Sequence, residues 1–433
     1  MSRLNSLRGL ALAVGVAGLA NSCSVPYSDL VAPSAARGDM FNSYVAIGNS
    51  ITAGYMSGGI KDSTQRRSYA FLLSQSMGTR FAYPSLAGRG CAPLIINFQT
   101  QARNAGETAA TCDLRTASTA SDVLNNLGVP GAWSYDPNSK SSATSNALTT
   151  LFLGGMSQVQ RARLAHPSFV SVWIGNNDVL GPAVSGGGCT TAAVGCAVTL
   201  SSITTQPAFA ATYDALIDSL KIGNPGVKGL LIGVVNVTAA PILFKADTLN
   251  TASFKATFDA IACGPLASNP AVNSCAATGN VTFLDPSCSA GTTALINTFL
   301  AHQIRAGAHP PYIACTPTGA GATFPLPVGD VLVLTAAEQA TVSAAVAGYN
   351  AYISAKATTL GWAYYDPNTT LATLRAAGTV VRQVPNYLSA TNPFGTGMSL
   401  DGVHPFAGGH LLIANGMIAA VNLKYGTTLP NVF

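Results

Sequence analysis

Ser43-Tyr44-Val45-Ala46-Ile47-Gly48-Asn49-Ser50-Ile51-Thr52 is the stretch on which the fold turns. Residues 43–47 form a short apolar run with β-branched members, closed by a glycine, which is the pattern of a buried strand ending in a turn. Residues 169–174 (FVSVWI) repeat that pattern and close on Gly175. Further strands are expected at 229–237, 281–284, 331–334 and 362–365. Helical patterns lie between them, at 150–165, at 336–359 and at 406–424 near the C-terminus. Thr335 and Glu338 supply a capping box for the second of these, which ends at Gly361. Strands alternating with helices predict an α/β fold whose mainly parallel sheet is covered on both faces. Catalytic groups in such sheets gather at the carboxyl ends of the strands.

Two stretches break the alternation. Residues 55–125 and 183–330 are rich in Gly, Pro, Ser and Thr, and hold Cys91 and Cys112 in the first and Cys189, Cys196, Cys263, Cys275, Cys288 and Cys315 in the second. They are expected to be disulfide-containing insertions. Eight cysteines allow 105 pairings, of which neighbour pairing is the simplest. Residues 139–150 (SKSSATSNALTT) are low in complexity and are expected to be an exposed linker.

The N-terminus has the layout of an export signal: Arg3 and Arg8, then the uncharged apolar run 9–20 (GLALAVGVAGLA). That run is shorter than the ~20 residues a membrane span needs, so residues 1–22 are expected to be a signal peptide. Two fates are open. Ala20-Asn21-Ser22 suits ordinary cleavage, whereas Cys23 resembles the lipid-modified cysteine of a bacterial lipoprotein, with Leu19 one place further away than usual. Either fate predicts an exported bacterial protein in the periplasm, on the outer membrane or outside the cell. Disulfides suit that setting.

Composition excludes some partners. Charged residues are 9% of the chain against ~25% in ordinary proteins, and the net charge of +5 is spread thinly, with no run of Lys or Arg. A nucleic-acid partner is not expected. No C-x-x-C pair occurs, and His166, His302, His309 and His410 show no ligand spacing, so no metal and no cofactor is expected. Oligomeric state is not legible.

Four short segments carry chemistry. Gly48-Asn49-Ser50-Ile51-Thr52-Ala53-Gly54 follows the first strand. Asn126-Leu127-Gly128-Val129-Pro130-Gly131 comes next, then Gly175-Asn176-Asn177-Asp178 after another strand, then Asp401-Gly402-Val403-His404-Pro405. This series resembles the four blocks of the GDSL, or SGNH, hydrolase family. The resemblance covers about 43–180 and 335–425, and implies a three-layer α/β/α sandwich with one catalytic domain over 40–425. It implies Ser50 as nucleophile, His404 as general base, Asp401 as its orienting carboxylate, and Gly131 and Asn177 as oxyanion-hole donors. Gly131 is preferred to Gly128 because it lies five residues after Asn126, as in the family; the turn Gly88-Arg89-Gly90 competes weakly. Asn49 stands where the family has aspartate, which puts only local hydrogen bonding of the turn in doubt.

The residue types suit acyl transfer. A serine hydroxyl is a weak nucleophile until a base takes its proton, and imidazole titrates near neutrality. A carboxylate three residues earlier could bond the far ring nitrogen and fix its tautomer. Singly, each segment has a plainer explanation as a turn serine, a β-turn, an Asx-turn or a cap. All four in this order favour a carboxylic ester hydrolase with an acyl-serine intermediate, acting on a small-molecule, lipid or acylated-glycan ester. A polysaccharide O-deacetylase of the same family and a catalytically silent binding module are the alternatives. Trp173 is expected in the core, and Trp133 either there or against substrate.

Overall fold

In a computed structural model of the 433-residue chain, the described residues are 36–86, 88–108, 123–139, 148–185, 200–264, 275, 278–315 and 332–433. The expected signal segment, Cys23, Cys112, Cys189, Cys196 and most of the 139–150 stretch lie outside them.

Strand β1 (Tyr44–Gly48) leads through α1 (Ser50–Ala53), α2 (Asp62–Gln65) and α3 (Tyr69–Met77) to α4 (Leu148–Leu153), α5 (Gln158–Ala165) and β2 (Phe169–Trp173). Next come α6 (Asn177–Ser185), α7 (Gln206–Gly223) and β3 (Lys228–Ile232). A second group consists of β4 (Leu243–Lys245), α8 (Ala252–Ala262), β5 (Phe283–Leu284), β6 (Leu295–Asn297), α9 (Leu300–Arg305), β7 (Tyr312–Ile313) and β8 (Val333–Leu334). The chain closes with α10 (Ala336–Leu360), β9 (Ala363–Tyr365), α11 (Pro367–Ala377) and α12 (Ala407–Tyr425).

The main sheet has the order β1-β2-β3-β9 and is parallel throughout. Alternation along its strands divides two cores. Val45 and Ile47 of β1 and Val170 and Val172 of β2 face α5, α7 and α10, meeting Ala162, Leu216, Tyr349 and Ile353. Tyr44 and Ala46 face the other way with Phe169 and Trp173, against Tyr69, Leu73 and Met77 of α3 and Met417 and Val421 of α12. Every residue of β1 and β2 is buried, as a parallel sheet covered on both faces requires. Each fully buried aliphatic or aromatic side chain contributes about 1.5–3 kcal/mol. The fold is therefore the expected three-layer α/β/α sandwich.

Several boundaries differ from expectation. The main sheet has four strands among the described residues, because 283–284 and 333–334 belong elsewhere: β5 pairs with β7, and β8 joins the antiparallel sheet β4-β6-β8. The helical stretch at 150–165 is two helices, broken at Gly154 and Gly155, both at positive φ. The stretch 55–125 is not all insertion, since it contains the core helix α3. Nor is 183–330, which contains α7 and the central strand β3. Strand β3 matches the strand expected at 229–237, whereas helices α3 and α7 are obscured in the sequence by the Gly, Ser and Thr content of their surroundings. The added material after β3 has its own core, where Phe244, Phe258 and Ile296 meet Phe98, Phe394 and Leu400. Cys263 is bonded to Cys275 and Cys288 to Cys315, which follows neighbour pairing. Cys91 is also disulfide-bonded. Among the described residues no helix is long and apolar enough to cross a membrane.

Candidate active site

β1 and β2 are adjacent and parallel, with Gly48 opposite Trp173, so the segments after them emerge at the same edge of the sheet. After β1 the chain turns sharply into α1 at Ser50. A Cβ on Gly48 would lie 2.1 Å from Thr52 Oγ1 and 2.5 Å from the Trp173 carbonyl oxygen, so only glycine fits that turn. Asn49 caps α1, its Oδ1 accepting the Ile51 N–H at 3.1 Å. A carboxylate oxygen could accept in the same way. The asparagine differs in its Nδ2, which is buried without a partner. The local hydrogen bonding in doubt thus comes down to one amide group.

The segment before α12 closes on itself. Met398 bridges Pro405, and the Ser399 N–H donates to the His404 carbonyl at 2.9 Å. Asp401 Oδ1 accepts the Val403 N–H at 3.0 Å and the His404 N–H at 2.9 Å, an Asx-type turn that folds the histidine back over the aspartate. Asp401 Oδ2 lies 2.9 Å from His404 Nδ1, and His404 Nε2 lies 2.8 Å from Ser50 Oγ. A carboxylate only accepts, so Nδ1 carries the proton and Nε2 is left to accept from the serine hydroxyl. The three residues form one hydrogen-bonded series across 354 positions of sequence.

Asp401 is unusually well provided with donors. Ser399 Oγ donates to Oδ1 at 2.9 Å and the Gly58 N–H to Oδ2 at 2.8 Å, in addition to the three groups above. Burial alone would raise its pKa. The positive charge that His404 carries when protonated, with the hydrogen bonds from His404 and Gly58, outweighs burial and holds the carboxyl well below the usual range. Gly58 belongs to a strap running from Tyr55 to Gly59. The Ser57 N–H donates to Ser399 Oγ at 2.8 Å, and the Tyr55 ring centroid lies 5.0 Å from that of His404. Burial and the Asp401 charge push the Tyr55 hydroxyl up to about 12, against the opposing effect of Arg103. On the other side the Ile242 N–H donates to the Gly402 carbonyl at 2.9 Å, so the added lobe holds the same turn.

Gly131 and Asn177 are brought together through the residue between Gly131 and Trp133. Asn177 Nδ2 donates to the Ala132 carbonyl at 2.8 Å. Gly131 is at φ 82°, a conformation that favours glycine. The next residue of α6, Asp178, accepts from the Ser134 N–H at 2.9 Å and from Ser134 Oγ at 2.6 Å. Burial raises its carboxyl pKa, with the Ser134 and Thr204 hydrogen bonds working against that. The first turn of α6 therefore fastens the 131–134 loop at two points. Trp133 is half-buried beside Gly181 of the same helix, and Trp173 is in the core.

Sequence reasoning passed over the strap at 55–59, Asp178 as an anchor, and Gln158. The last is 2% exposed; its Oε1 accepts the Gly48 N–H at 2.9 Å and its Nε2 donates to the Gly48 carbonyl at 3.0 Å. None carries a motif, because each acts on groups of a segment distant in sequence, and the strap does so through its own backbone N–H groups. Two of the remaining histidines, His410 and His302, are buried. His410 Nδ1 accepts the Tyr69 N–H at 3.1 Å, and burial together with the His404 charge lowers its pKa to about 3. His302 donates to the Phe98 carbonyl at 2.7 Å, and burial lowers it to about 4. Among the described residues no three His, Cys, Asp or Glu side chains gather as a metal ion would need.

The chain belongs to the GDSL-like lipase/acylhydrolase family, whose model matches residues 44–286, more than half of its length. That span includes Ser50, Gly131 and Asn177 and ends before Asp401 and His404. Among solved structures the chain is similar to an extracellular lipase from Streptomyces rimosus, at 14% identity and a TM-score of 0.32, covering 88% of this chain and 98% of that one. It is also similar to a protein from Parabacteroides merdae ATCC 43184 described as a GDSL-like lipase, at 11% identity and a TM-score of 0.32, covering 88% and 96%. No curated protein matches the chain.

Proposed function

We propose that this protein hydrolyses carboxylic esters through an acyl-serine intermediate, with Ser50 as nucleophile, His404 as general base and Asp401 as the group that orients and charges the imidazole. The observation that carries this reading is the series Asp401 Oδ2, His404 Nδ1, His404 Nε2, Ser50 Oγ, with contacts of 2.9 and 2.8 Å. As Ser50 Oγ bonds to the ester carbonyl carbon, its proton passes to Nε2. The imidazolium is stabilised by Asp401 and returns the proton to the departing alcohol. Water then attacks the acyl-serine with the same base, releasing the acid and restoring the hydroxyl.

The carbonyl oxygen becomes an anion in both steps. Its donors in this reading are the N–H groups of Ser50 and Gly131 and one hydrogen of Asn177 Nδ2. A carboxamide nitrogen carries two hydrogens, and one of them is engaged by the Ala132 carbonyl, which would aim the other. Loss of one such donor typically costs about 3–4 kcal/mol of barrier. The protein is read as exported, a view supported by its disulfides. The test is hydrolysis of a short-chain aryl ester by the purified protein: activity should be present in the wild type and lost in Ser50→Ala. Equal rates in the two would remove Ser50 from the chemistry.

A further inference from the structure

We infer that Gln158 is a positioning residue for the nucleophile, its side-chain amide holding the peptide groups of Gly48 so that Ser50 faces the turn leading to Gly131. The inference rests on the reading of Ser50 as nucleophile.

The outer edge of β1 is covered by residues 125–129 in a parallel arrangement. The Ala46 N–H donates to the Asn125 carbonyl at 2.8 Å, and the Leu127 N–H donates to the Ala46 carbonyl at 2.8 Å. The next rung is split. The Gly48 carbonyl accepts the Val129 N–H at 3.1 Å, as the ladder demands. The Gly48 N–H does not reach the Leu127 carbonyl and goes instead to Gln158 Oε1 at 2.9 Å, while Gln158 Nε2 adds a second donor to the Gly48 carbonyl at 3.0 Å. Segment 125–129 leaves the strand here because Gly128 is pressed against α1, where a Cβ would lie 2.6 Å from the Ala53 N. The chain departs towards Gly131, and the glutamine completes the rung that it vacates.

A carboxamide presents a donor and an acceptor side by side on one carbon, which matches the N–H and C=O of a single residue. A methionine of similar size would leave the Gly48 N–H buried with nothing to accept it. Helix formation does not require glutamine at this place, since Gln158 is the first residue of α5 and the helix is capped by Ser157 and Gln160. Both polar ends of this buried residue are spent on the residue two before Ser50. Because Gly48 also receives Val129, the same contact sets the nucleophile turn against the loop that carries Gly131.

The test uses Gln158→Met and Gln158→Glu in the full chain, with kcat and KM on an aryl ester, the rate of labelling by a fluorophosphonate, and thermal melting. A misplacement on the order of 1 Å costs up to about 100-fold in rate, so Gln158→Met should lower kcat and the labelling rate by about 10- to 100-fold and leave KM nearly unchanged. Gln158→Glu keeps the acceptor for the Gly48 N–H and should recover part of the loss. If Gln158→Met does not fold, Gln158→Glu decides: kcat lowered at a wild-type KM supports the role. Wild-type kcat in whichever variant folds, even with a lower melting temperature, overturns it and leaves only packing. Failure of the parent reading is distinct, because the wild type would then take no phosphonate at Ser50.

Discussion

Replacing Asp401 by asparagine keeps the shape of the acid and removes its ability to accept on both atoms. Five donors converge on the two oxygens: Ser399 Oγ, the Val403 N–H and the His404 N–H on Oδ1, and the Gly58 N–H and His404 Nδ1 on Oδ2. If the amide nitrogen takes the place of Oδ2, it faces the Gly58 N–H and drives the imidazole to carry its proton on Nε2, where it can no longer accept from Ser50. If it takes the place of Oδ1, two backbone N–H groups lose their acceptor, while the Ser399 hydroxyl can rotate. Each buried donor left unmet costs about 1–3 kcal/mol, so the first orientation, which strands only the Gly58 N–H, is favoured over the second, and stability should fall by about 1–3 kcal/mol. Holding the histidine in the wrong tautomer costs ~10⁴-fold in kcat in a well-studied serine protease triad, and a loss of that order is expected here. The assay is kcat on a short aryl ester together with urea unfolding. A decrease in kcat below about tenfold with an unchanged urea midpoint would refute both the tautomer argument and the count of donors.

Three further outcomes are expected. In Gly48→Ala the new methyl has to displace Thr52 Oγ1 and the Trp173 carbonyl, the latter part of the sheet, so stability should fall by about 1–3 kcal/mol in thermal melting and phosphonate labelling should slow. Mild reduction should loosen the added lobe. The loops closed by Cys263–Cys275 and Cys288–Cys315 span 12 and 27 residues, worth about 3 and 3.5 kcal/mol of loop-closure entropy, and faster limited proteolysis after reduction would register the loss. Acid should act through Asp401. Its carboxyl titrates lower in the folded state than unfolded, so its stabilising contribution is complete above the unfolded value of ~3.9 and declines as pH falls below it. The urea midpoint should therefore drop between pH 5 and pH 3, and should drop less in Asp401→Asn.

The parts of this molecule that could be read from sequence are those fixed by local chemistry. Strands β1 and β2 announce themselves as short apolar runs closed by glycine, and the Thr335–Glu338 capping box marks the start of α10. The proposed site residues stand out because acyl transfer needs particular residue types and because the order of their segments resembles the blocks of the family. What was missed depends on pairing between distant segments. The apolar pair Val333-Leu334 looks like any sheet strand, yet its partner is β6 in an antiparallel sheet. Helix α3 shares its Gly- and Ser-rich surroundings with loops, and its burial against α12 becomes visible only once the chain has folded. Gln158 and Asp178 hold backbone groups of other segments, and the Tyr55–Gly59 strap offers its own N–H groups to Ser399 and Asp401; such duties leave no pattern in their own neighbourhood.

In the proposed mechanism Ser50 is a hydroxyl activated by His404. Incubation of the intact protein with a fluorophosphonate, followed by mass spectrometry of its peptides, tests it most directly. One adduct is expected, on the peptide containing Ser50, absent from Ser50→Ala and strongly slowed in His404→Ala. An unlabelled protein, or an adduct at another residue that persists in Ser50→Ala, would contradict it.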